Sequence, residues 1–135
     1  MIKVIIAGTR DFDNYELLKQ KMDKILAGKV RNNEEIIIIS GTARGADKLG
    51  ERYAREKGYK VERYPANWDK HGKRAGYIRN EQMAKVADAC VCFWDEQSKG
   101  TKHMIDLAKQ YKLALRVINY NKYNFSLNLN SQLTK

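Results

Sequence analysis

Short apolar runs alternate along the chain with stretches in which apolar residues recur at helical spacing. Four consecutive isoleucines, Ile36–Ile39, are typical of a strand buried on both faces. Similar runs predict five strands, at Ile2–Ala7, Ile36–Ile39, Tyr59–Tyr64, Asp88–Trp94 and Leu113–Ile118. The spaced apolar positions predict four helices between them, at Tyr15–Ala27, Ala46–Lys57, Gly76–Val86 and Thr101–Tyr111.

Turn-forming residues mark the ends of these elements. Asp13 or Asn14 is expected to cap the first helix, while Gly28 and Gly58 are expected to end the first and second helices. The only proline follows the third predicted strand, and the segment Pro65–Ala75 has no periodicity. That segment is therefore predicted to be an irregular loop, of a length that is commonly functional.

Strand and helix alternate five times, which predicts an α/β domain with one parallel sheet and helices on both faces. We expect residues 1–118 to form this domain and residues 119–135 to form a weakly ordered, Asn-rich C-terminal arm. Ligands of such sheets bind beyond the C-terminal ends of the strands, where the strand order reverses. Three turns should therefore converge there: Gly8–Arg10, Ser40–Asp47 and Asp95–Thr101.

The turn Ser40–Asp47 has the residue types of an anion-binding turn. Gly41 and Gly45 allow a positive φ and a close approach of backbone to ligand, and Arg44 suits a phosphate or a carboxylate. The helix that follows adds its N-terminal N–H groups. Asp47 either accepts a hydrogen bond from a ribose hydroxyl or simply favours the helix dipole. The turn matches neither the Walker pattern nor GxGxxG.

Two further candidate groups lie on predicted helices. Arg79 has inward-facing helical neighbours, so we expect it on the core side, paired either with a ligand phosphate or with a carboxylate such as that of Asp47. Gly100 and Thr101 open the last helix and offer N–H groups and a hydroxyl to an anion. The candidate ligand-binding residues are Gly8, Thr9, Arg10, Ser40, Gly41, Thr42, Arg44, Gly45, Asp47, Arg79, Asn80, Gly100 and Thr101.

The charge and the cysteines narrow the possible partners. The net charge of +10 favours anionic partners, phosphates or nucleic acid, although no block of consecutive basic residues forms a nucleic-acid tail. Cys90 and Cys92 are expected to be buried small hydrophobes, and no metal site is predicted. No signal peptide or membrane-spanning run is visible, so a cytoplasmic protein is expected.

The aromatic and histidine residues of the loop and last helix give weaker signals. Trp68 could stack on a base, but core packing is the expected role. His71 and His103 are expected to be surface residues rather than catalytic ones.

Taken as a set and in this order, four motifs resemble the SLOG superfamily, and most specifically its small YspA-like branch. The motifs are Gly8–Phe12, Ser40–Asp47, Arg79–Met83 and Gly100–Thr101, and the resemblance covers roughly residues 1–118. That superfamily includes the DNA-processing protein A family and the Lonely Guy phosphoribohydrolases. The resemblance implies a Rossmann-like three-layer fold, a nucleotide-type ligand and a homodimer.

One position departs from the Lonely Guy pattern. Those hydrolases carry a catalytic glutamate three residues after their Gly-Thr, and this chain has Met104 there. A thioether cannot act as a general acid or base. Asp47 and Asp95 are the remaining catalytic candidates near the predicted site.

Three functions follow from the sequence. The first is binding or sensing of a nucleotide-derived small molecule, such as an ADP-ribose-like signal or a nucleoside phosphate, without a further cofactor. The second is a nucleotide phosphoribohydrolase that uses Asp47 or Asp95, and the missing glutamate disfavours it. The third is single-stranded DNA binding, supported by the charge but not by interleaved aromatic residues.

Overall fold

A computed structural model describes residues 1–121 of the chain as a single twisted sheet covered by helices. All strand pairs are parallel, and the strand order is β3-β2-β1-β4-β5. The predicted five-stranded α/β fold is therefore confirmed. The strands are β1 (Ile2–Gly8), β2 (Ile36–Ser40), β3 (Lys60–Arg63), β4 (Ala89–Trp94) and β5 (Ala114–Asn119).

The strand order reverses between β1 and β4. The chain moves outward from β1 through β2 to β3, then returns to place β4 on the other side of β1. At the C-terminal end of this central pair, Gly8 lies opposite Phe93. The loops that leave β1 and β4 must separate there, toward opposite halves of the sheet, which opens a crevice between them.

Five helices connect the strands, and the first is longer than the glycine pattern predicts. They are α1 (Tyr15–Arg31), α2 (Ala46–Lys57), α3 (Trp68–His71), α4 (Ala75–Val86) and α5 (Lys99–Gln110). Asn14 caps α1 as expected, because its side chain accepts a hydrogen bond of 3.1 Å from the Leu17 N–H. Gly28 does not end α1, however. The helix continues to Arg31, and Asn33 takes up the positive φ of 55° instead.

The second helix has the predicted bounds and packs closely against the sheet. It ends at Gly58, whose left-handed φ of 78° matches the expected C-cap. At Gly50 a Cβ would lie 2.8 Å from the Ile6 Cγ2 atom. Only glycine therefore allows α2 to contact β1 at this depth.

The segment predicted to be an irregular loop is partly helical. Asn67 caps the short helix α3 through a hydrogen bond of 3.1 Å from the Lys70 N–H. A 3-10 turn, Gly72–Arg74, then joins α3 to α4. The prediction missed these turns because a four-residue helix has no apolar period.

Each face of the sheet carries its own core. The apolar side chains of α1 and α2 pack on one face, where Leu18, Met22 and Ile38 are fully buried. Those of α4 and α5 pack on the other face together with Cys90 and Cys92. The two thiols are free and buried, with their sulfurs 3.6 Å apart, as expected for neighbours on one face of a strand.

The fold extends slightly past the predicted domain end. Asn119, placed by the sequence in the C-terminal arm, is the last residue of β5. Tyr120 is buried, and its ring lies 4.7 Å from that of Phe12 between centroids. The rest of the predicted arm lies outside the described residues. None of the helices within residues 1–121 combines the length and apolar character that crossing a membrane requires.

Candidate functional site

A cleft of about 540 Å³ lies at the C-terminal edge of the sheet, over the point where the strand order reverses. Its walls include residues from all three turns that the sequence predicts to converge, together with residues of α3 and α4. The predicted site residues that line it are Gly8, Thr9, Arg10, Arg44, Asp47, Arg79, Asn80, Asp95, Gly100 and Thr101.

A smaller cleft of about 170 Å³ adjoins the main one. Its lining includes Gly41 and Thr42 from the β2–α2 turn. Three arginines line both clefts, namely Arg10, Arg44 and Arg79. The two spaces therefore share one cationic wall.

Two predicted ligand residues, Ser40 and Gly45, lie outside both clefts. Ser40 is fully buried, and its hydroxyl donates a hydrogen bond of 2.7 Å to the Glu51 carboxylate. A Cβ at Gly45 would lie 2.4 Å from the Thr9 carbonyl oxygen, and φ is 82°. Both residues shape the turn, and neither of them lines a cleft.

Arg79 is a buried cation on the cleft wall, with a relative exposure of 9%. Its guanidinium donates to two neutral oxygens, the Gly41 carbonyl and, at 3.0 Å, the Asn80 side-chain oxygen. Asp47 interacts with it electrostatically. A Cβ at Gly41 would lie 2.8 Å from both Arg79 Nη1 and Asp47 Oδ2, so the glycine makes room for both charged groups.

Asp47 faces the cleft and is itself buried. Burial raises its pKa to about 6, although the hydrogen bond from the Ala43 N–H and the charges of Arg79 and Arg10 act in the opposite direction. The hydrogen bond from Ala43 is 3.1 Å long. Near neutral pH this carboxyl group can therefore accept hydrogen bonds or exchange a proton.

Asp95 also lines the cleft, but its pKa is shifted in the opposite direction to that of Asp47. Burial alone would raise its pKa, but hydrogen bonds from the Ser98 and Gln97 N–H groups lower it overall. Both of these bonds are 2.8 Å long and reach the same oxygen. Asp95 is thus an ionised turn residue that organises its own loop.

The first turn, after β1, approaches β4 closely. A Cβ at Gly8 would lie 2.2 Å from the Phe93 carbonyl oxygen, so no larger residue fits. The Thr9 hydroxyl accepts a hydrogen bond of 3.2 Å from the Asp95 N–H and so links two of the converging turns. Arg10 and Arg44 are exposed at the rim, and Arg44 forms an ion pair of 3.3 Å with Asp11.

The N-terminus of α5 opens into the cleft. Ser98 caps it by accepting from the Thr101 N–H at 3.3 Å. Within residues 1–121, the N–H groups of Lys99 and Gly100 have no acceptor, because they precede the first helical hydrogen bond. Asn80 donates to the Gly100 carbonyl at 3.3 Å and so fixes α4 against this end of α5.

Several cleft residues were not among the ligand-binding residues named from the sequence, although Gln97 and Ser98 belong to a turn that was predicted to converge there. Lys73, Gln97 and Ser98 line the cleft, and so does Tyr77. Trp68 lines it as well, and its exposure of 50% corrects the expectation that it packs in the core. An available signal was the position of Tyr77 on α4, away from the inward stripe formed by Ala75, Arg79 and Met83.

Met104 lies on the cleft wall and is almost completely buried. The resemblance implies a glutamate at this position in the Lonely Guy hydrolases, and the thioether found here cannot transfer a proton. His103, beside it, contacts the edge of Tyr77, with 4.5 Å between ring centroids. Within residues 1–121, no group of three or more His, Cys, Asp or Glu side chains is placed to hold a metal ion.

A second wide groove, of about 710 Å³, lies at the other end of the sheet. It is lined by the C-terminal ends of α1 and α2, including Arg31 and Lys57, and by Asp23 and Glu34. Helix C-termini present carbonyl oxygens and disfavour anions. The C-terminal edge of the sheet is therefore the better anion site.

Comparison with known proteins places this chain in the SLOG class of Rossmann-like domains. Residues 2–71 match the model of the YspA, cpYpsA-related SLOG family, and the chain belongs to that family. It is also 33% identical over 126 residues to the Gene 61 protein of Mycobacterium phage D29, across 89% of this chain and 97% of that protein.

Two solved structures share the fold at low sequence identity. DNA processing protein A from Streptococcus pneumoniae matches 87% of this chain with a TM-score of 0.65 and 18% identity. The chain spans only 50% of that protein. The Helicobacter pylori protein, whose structure describes a single-stranded DNA binding mode, matches 93% of this chain and 72% of its own, with a TM-score of 0.59 and 19% identity.

Proposed function

We propose that this protein binds a nucleotide or nucleotide-derived small molecule, such as a nucleoside phosphate or an ADP-ribose-like signal, in the cleft at the C-terminal edge of the sheet. The observation that carries the proposal is Arg79. It is buried, it faces the cleft, and both of its hydrogen-bond acceptors are neutral. Asp47 acts on this cation electrostatically, but within residues 1–121 no carboxylate forms an ion pair with it, so a ligand phosphate would supply the anionic hydrogen-bond partner that a buried cation favours.

The surrounding groups support an anion with a sugar attached. The open N–H groups at the start of α5 suit a phosphate, and Arg10 and Arg44 add positive charge at the rim. The carboxyl group of Asp47 can accept hydrogen bonds from ribose hydroxyls. The cleft volume of about 540 Å³ lies within the range of small-molecule sites.

The test is a ligand screen by thermal shift and calorimetry with nucleoside monophosphates, ADP-ribose and NAD. We expect at least one of them to stabilise the protein and to bind with a one-to-one stoichiometry. Arg79→Gln should weaken that binding about tenfold or more, because a charge-assisted hydrogen bond contributes about 1.5–3 kcal/mol. Arg55→Gln, on the exposed face of α2, is the matched control and should bind like the unmodified chain.

The variants also separate binding from folding. Unfolding of Arg79→Gln without ligand is measured first, since the side chain is buried. If that variant does not fold, the exposed cleft residue Arg10 replaces it in the test as Arg10→Gln. Absence of a shift with every nucleotide in the screen would remove the proposal.

The second candidate function is N-glycosidic hydrolysis of a nucleotide. Asp47 favours it, since a cleft carboxyl group with a pKa of about 6 suits general acid–base chemistry. Met104 weighs against the Lonely Guy mechanism. Release of free base from the bound nucleotide, lost in Asp47→Asn, is the expected result if the protein is a hydrolase of this kind.

The third candidate is single-stranded DNA binding. It is supported by the net charge of +10 and by the shared fold with the Helicobacter pylori protein whose structure describes such binding. Oligonucleotide titrations at several salt concentrations test it, because binding to backbone phosphates weakens steeply with salt. The homodimer that the family resemblance implies is a separate proposal, tested by light scattering with and without ligand.

A further inference from the structure

The mouth of the cleft carries two aromatic side chains that the proposed anion site does not use. Trp68, on α3, is 50% exposed, and Tyr77, on α4, is 45% exposed. Both line the main cleft. We call this pair the aromatic rim.

The exposure of the aromatic rim is unusual for this chain. The other described tyrosines and Trp94 are buried or half-buried, and the described phenylalanines are fully buried. Trp94 also uses its indole N–H, which donates to the Ser98 carbonyl at 3.1 Å. The most exposed aromatic rings of residues 1–121 thus border the same cleft, although exposing them is unfavourable in water.

Local packing positions the Tyr77 ring, and the Trp68 ring lies near the buried guanidinium. Tyr77 contacts His103 edge-to-face at 4.5 Å, and Asn80 lies 3.2 Å from the His103 ring nitrogen Nδ1. A Cβ at Gly76 would lie 3.6 Å from both the Trp68 Cη2 atom and Arg79 Nη2. Gly76 therefore lies beside both the Trp68 indole and the buried Arg79 guanidinium, which brings the aromatic rim close to the cation.

We propose that the aromatic rim binds the base of the ligand, so that the physiological ligand is a nucleotide with an intact planar base rather than a sugar phosphate. Flat apolar surface beside a cationic wall is the arrangement that stacking on a nucleobase requires. The inference rests on the proposed function, since the phosphate and the sugar would be held by Arg79, α5 and Asp47.

The experiment compares adenosine 5′-monophosphate with ribose 5-phosphate by calorimetry. The unmodified chain should bind the nucleotide about fivefold to a hundredfold more tightly than the sugar phosphate, which is the factor that stacking of one base contributes. Trp68→Ala and Tyr77→Ala should each reduce this ratio several-fold, while ribose 5-phosphate affinity stays unchanged. Trp68→Phe should retain most of the ratio, and nucleotide should quench tryptophan fluorescence only when Trp68 is present.

Val86→Ala is the matched control, because Val86 is an exposed apolar residue on α4 outside the cleft. Its ratio should equal that of the unmodified chain. If the unmodified chain binds nucleotide and ribose 5-phosphate equally well, or if both alanine variants keep the preference for nucleotide, the aromatic rim does not bind the base. The proposed anion site would not be contradicted by either result. Failure of both ligands to bind would overturn the proposed function and this inference with it.

Discussion

The β2–α2 and β4–α5 turns look alike in sequence but are stabilised in different ways. In the β4–α5 turn, Asp95 accepts the N–H groups of its own loop and Ser98 caps the helix. In the β2–α2 turn, Gly45 provides no side-chain cap, and the Ala46 N–H donates instead to the Thr9 carbonyl in another turn. The helix N-terminus of the β4–α5 turn is thus capped by a side chain of its own loop, whereas the first N–H of α2 is satisfied by the backbone of another turn.

The carboxyl groups of the two turns also differ in their pKa values. The carboxylate of the β4–α5 turn has a lowered pKa, whereas Asp47 beside the β2–α2 turn has one raised to about 6. Two turns with Gly, Ser, Thr and Asp can thus have opposite roles. One provides a fixed helix N-terminus, and the other brings a buried carboxyl group and the backbone next to a buried arginine.

The largest expected change in stability is at Gly45 of the β2–α2 turn. Replacing Gly100 of the β4–α5 turn by alanine is the contrasting substitution. Gly45→Ala should lower the free energy of unfolding by about 3 kcal/mol or more, because the Cβ meets backbone oxygen at 2.4 Å and φ is 82°. Gly100→Ala meets nothing within 4 Å and should raise stability by about 0.5–1 kcal/mol. Urea denaturation measures both. Equal effects at the two glycines would mean that the turns do not differ.

Neutralising Asp47 should stabilise the protein. The folded-state pKa of about 6 lies above the ordinary value of 3.8, so ionisation of this group opposes folding. Asp47→Asn should therefore raise the free energy of unfolding by up to about 3 kcal/mol above pH 6. The gain should shrink as the pH falls and vanish below about pH 4. Denaturation at pH 4, 5 and 7.5 checks this.

Asp95→Asn is the matched variant, and it should lower the free energy of unfolding, whereas Asp47→Asn raises it. The lowered pKa of Asp95 means that its ionised form favours folding. The variant should lose about 1 kcal/mol at pH 7, and this loss should disappear as the pH falls through the folded-state pKa. A stabilising effect of Asp95→Asn at neutral pH would contradict the assignment of this carboxylate to its loop.

An effect as small as that of Asp95→Asn is expected at the cap of α5. Ser98→Ala should cost about 1 kcal/mol, because the Thr101 N–H loses its acceptor. Ser98→Thr keeps an acceptor and should cost much less. Thermal unfolding of both variants measures the difference, and an unchanged transition in the alanine variant would show that the cap does not stabilise this turn.

The sheet could be predicted from the sequence because its signals are strong and local. The isoleucines of β2 and the alternation of strand and helix define the layers without knowledge of contacts. The end of α1 could not be predicted in this way. Glycine inside a helix costs only about 1 kcal/mol, so Gly28 does not stop α1, and Asn33 supplies the turn.

The candidate site was predictable only to the level of converging turns. Ser40 looks like a phosphate ligand in sequence, but its hydroxyl direction depends on Glu51, which is placed by the packing of α2. Trp68 looks like a core residue, but α3 holds it at the cleft mouth. Side-chain direction in both cases follows from tertiary contacts that no local pattern records.

The close contact of α2 with β1 has a consequence for the charges of the cleft. Gly50 touches Ile6 on the buried side of α2, and Asp47 lies one helical turn earlier. A bulkier residue at position 50 would act as a spacer, lifting the helix from the sheet and drawing the Asp47 carboxyl group away from the Arg79 guanidinium. The electrostatic tuning of the cleft is thus coupled to a contact made entirely between hydrocarbon groups.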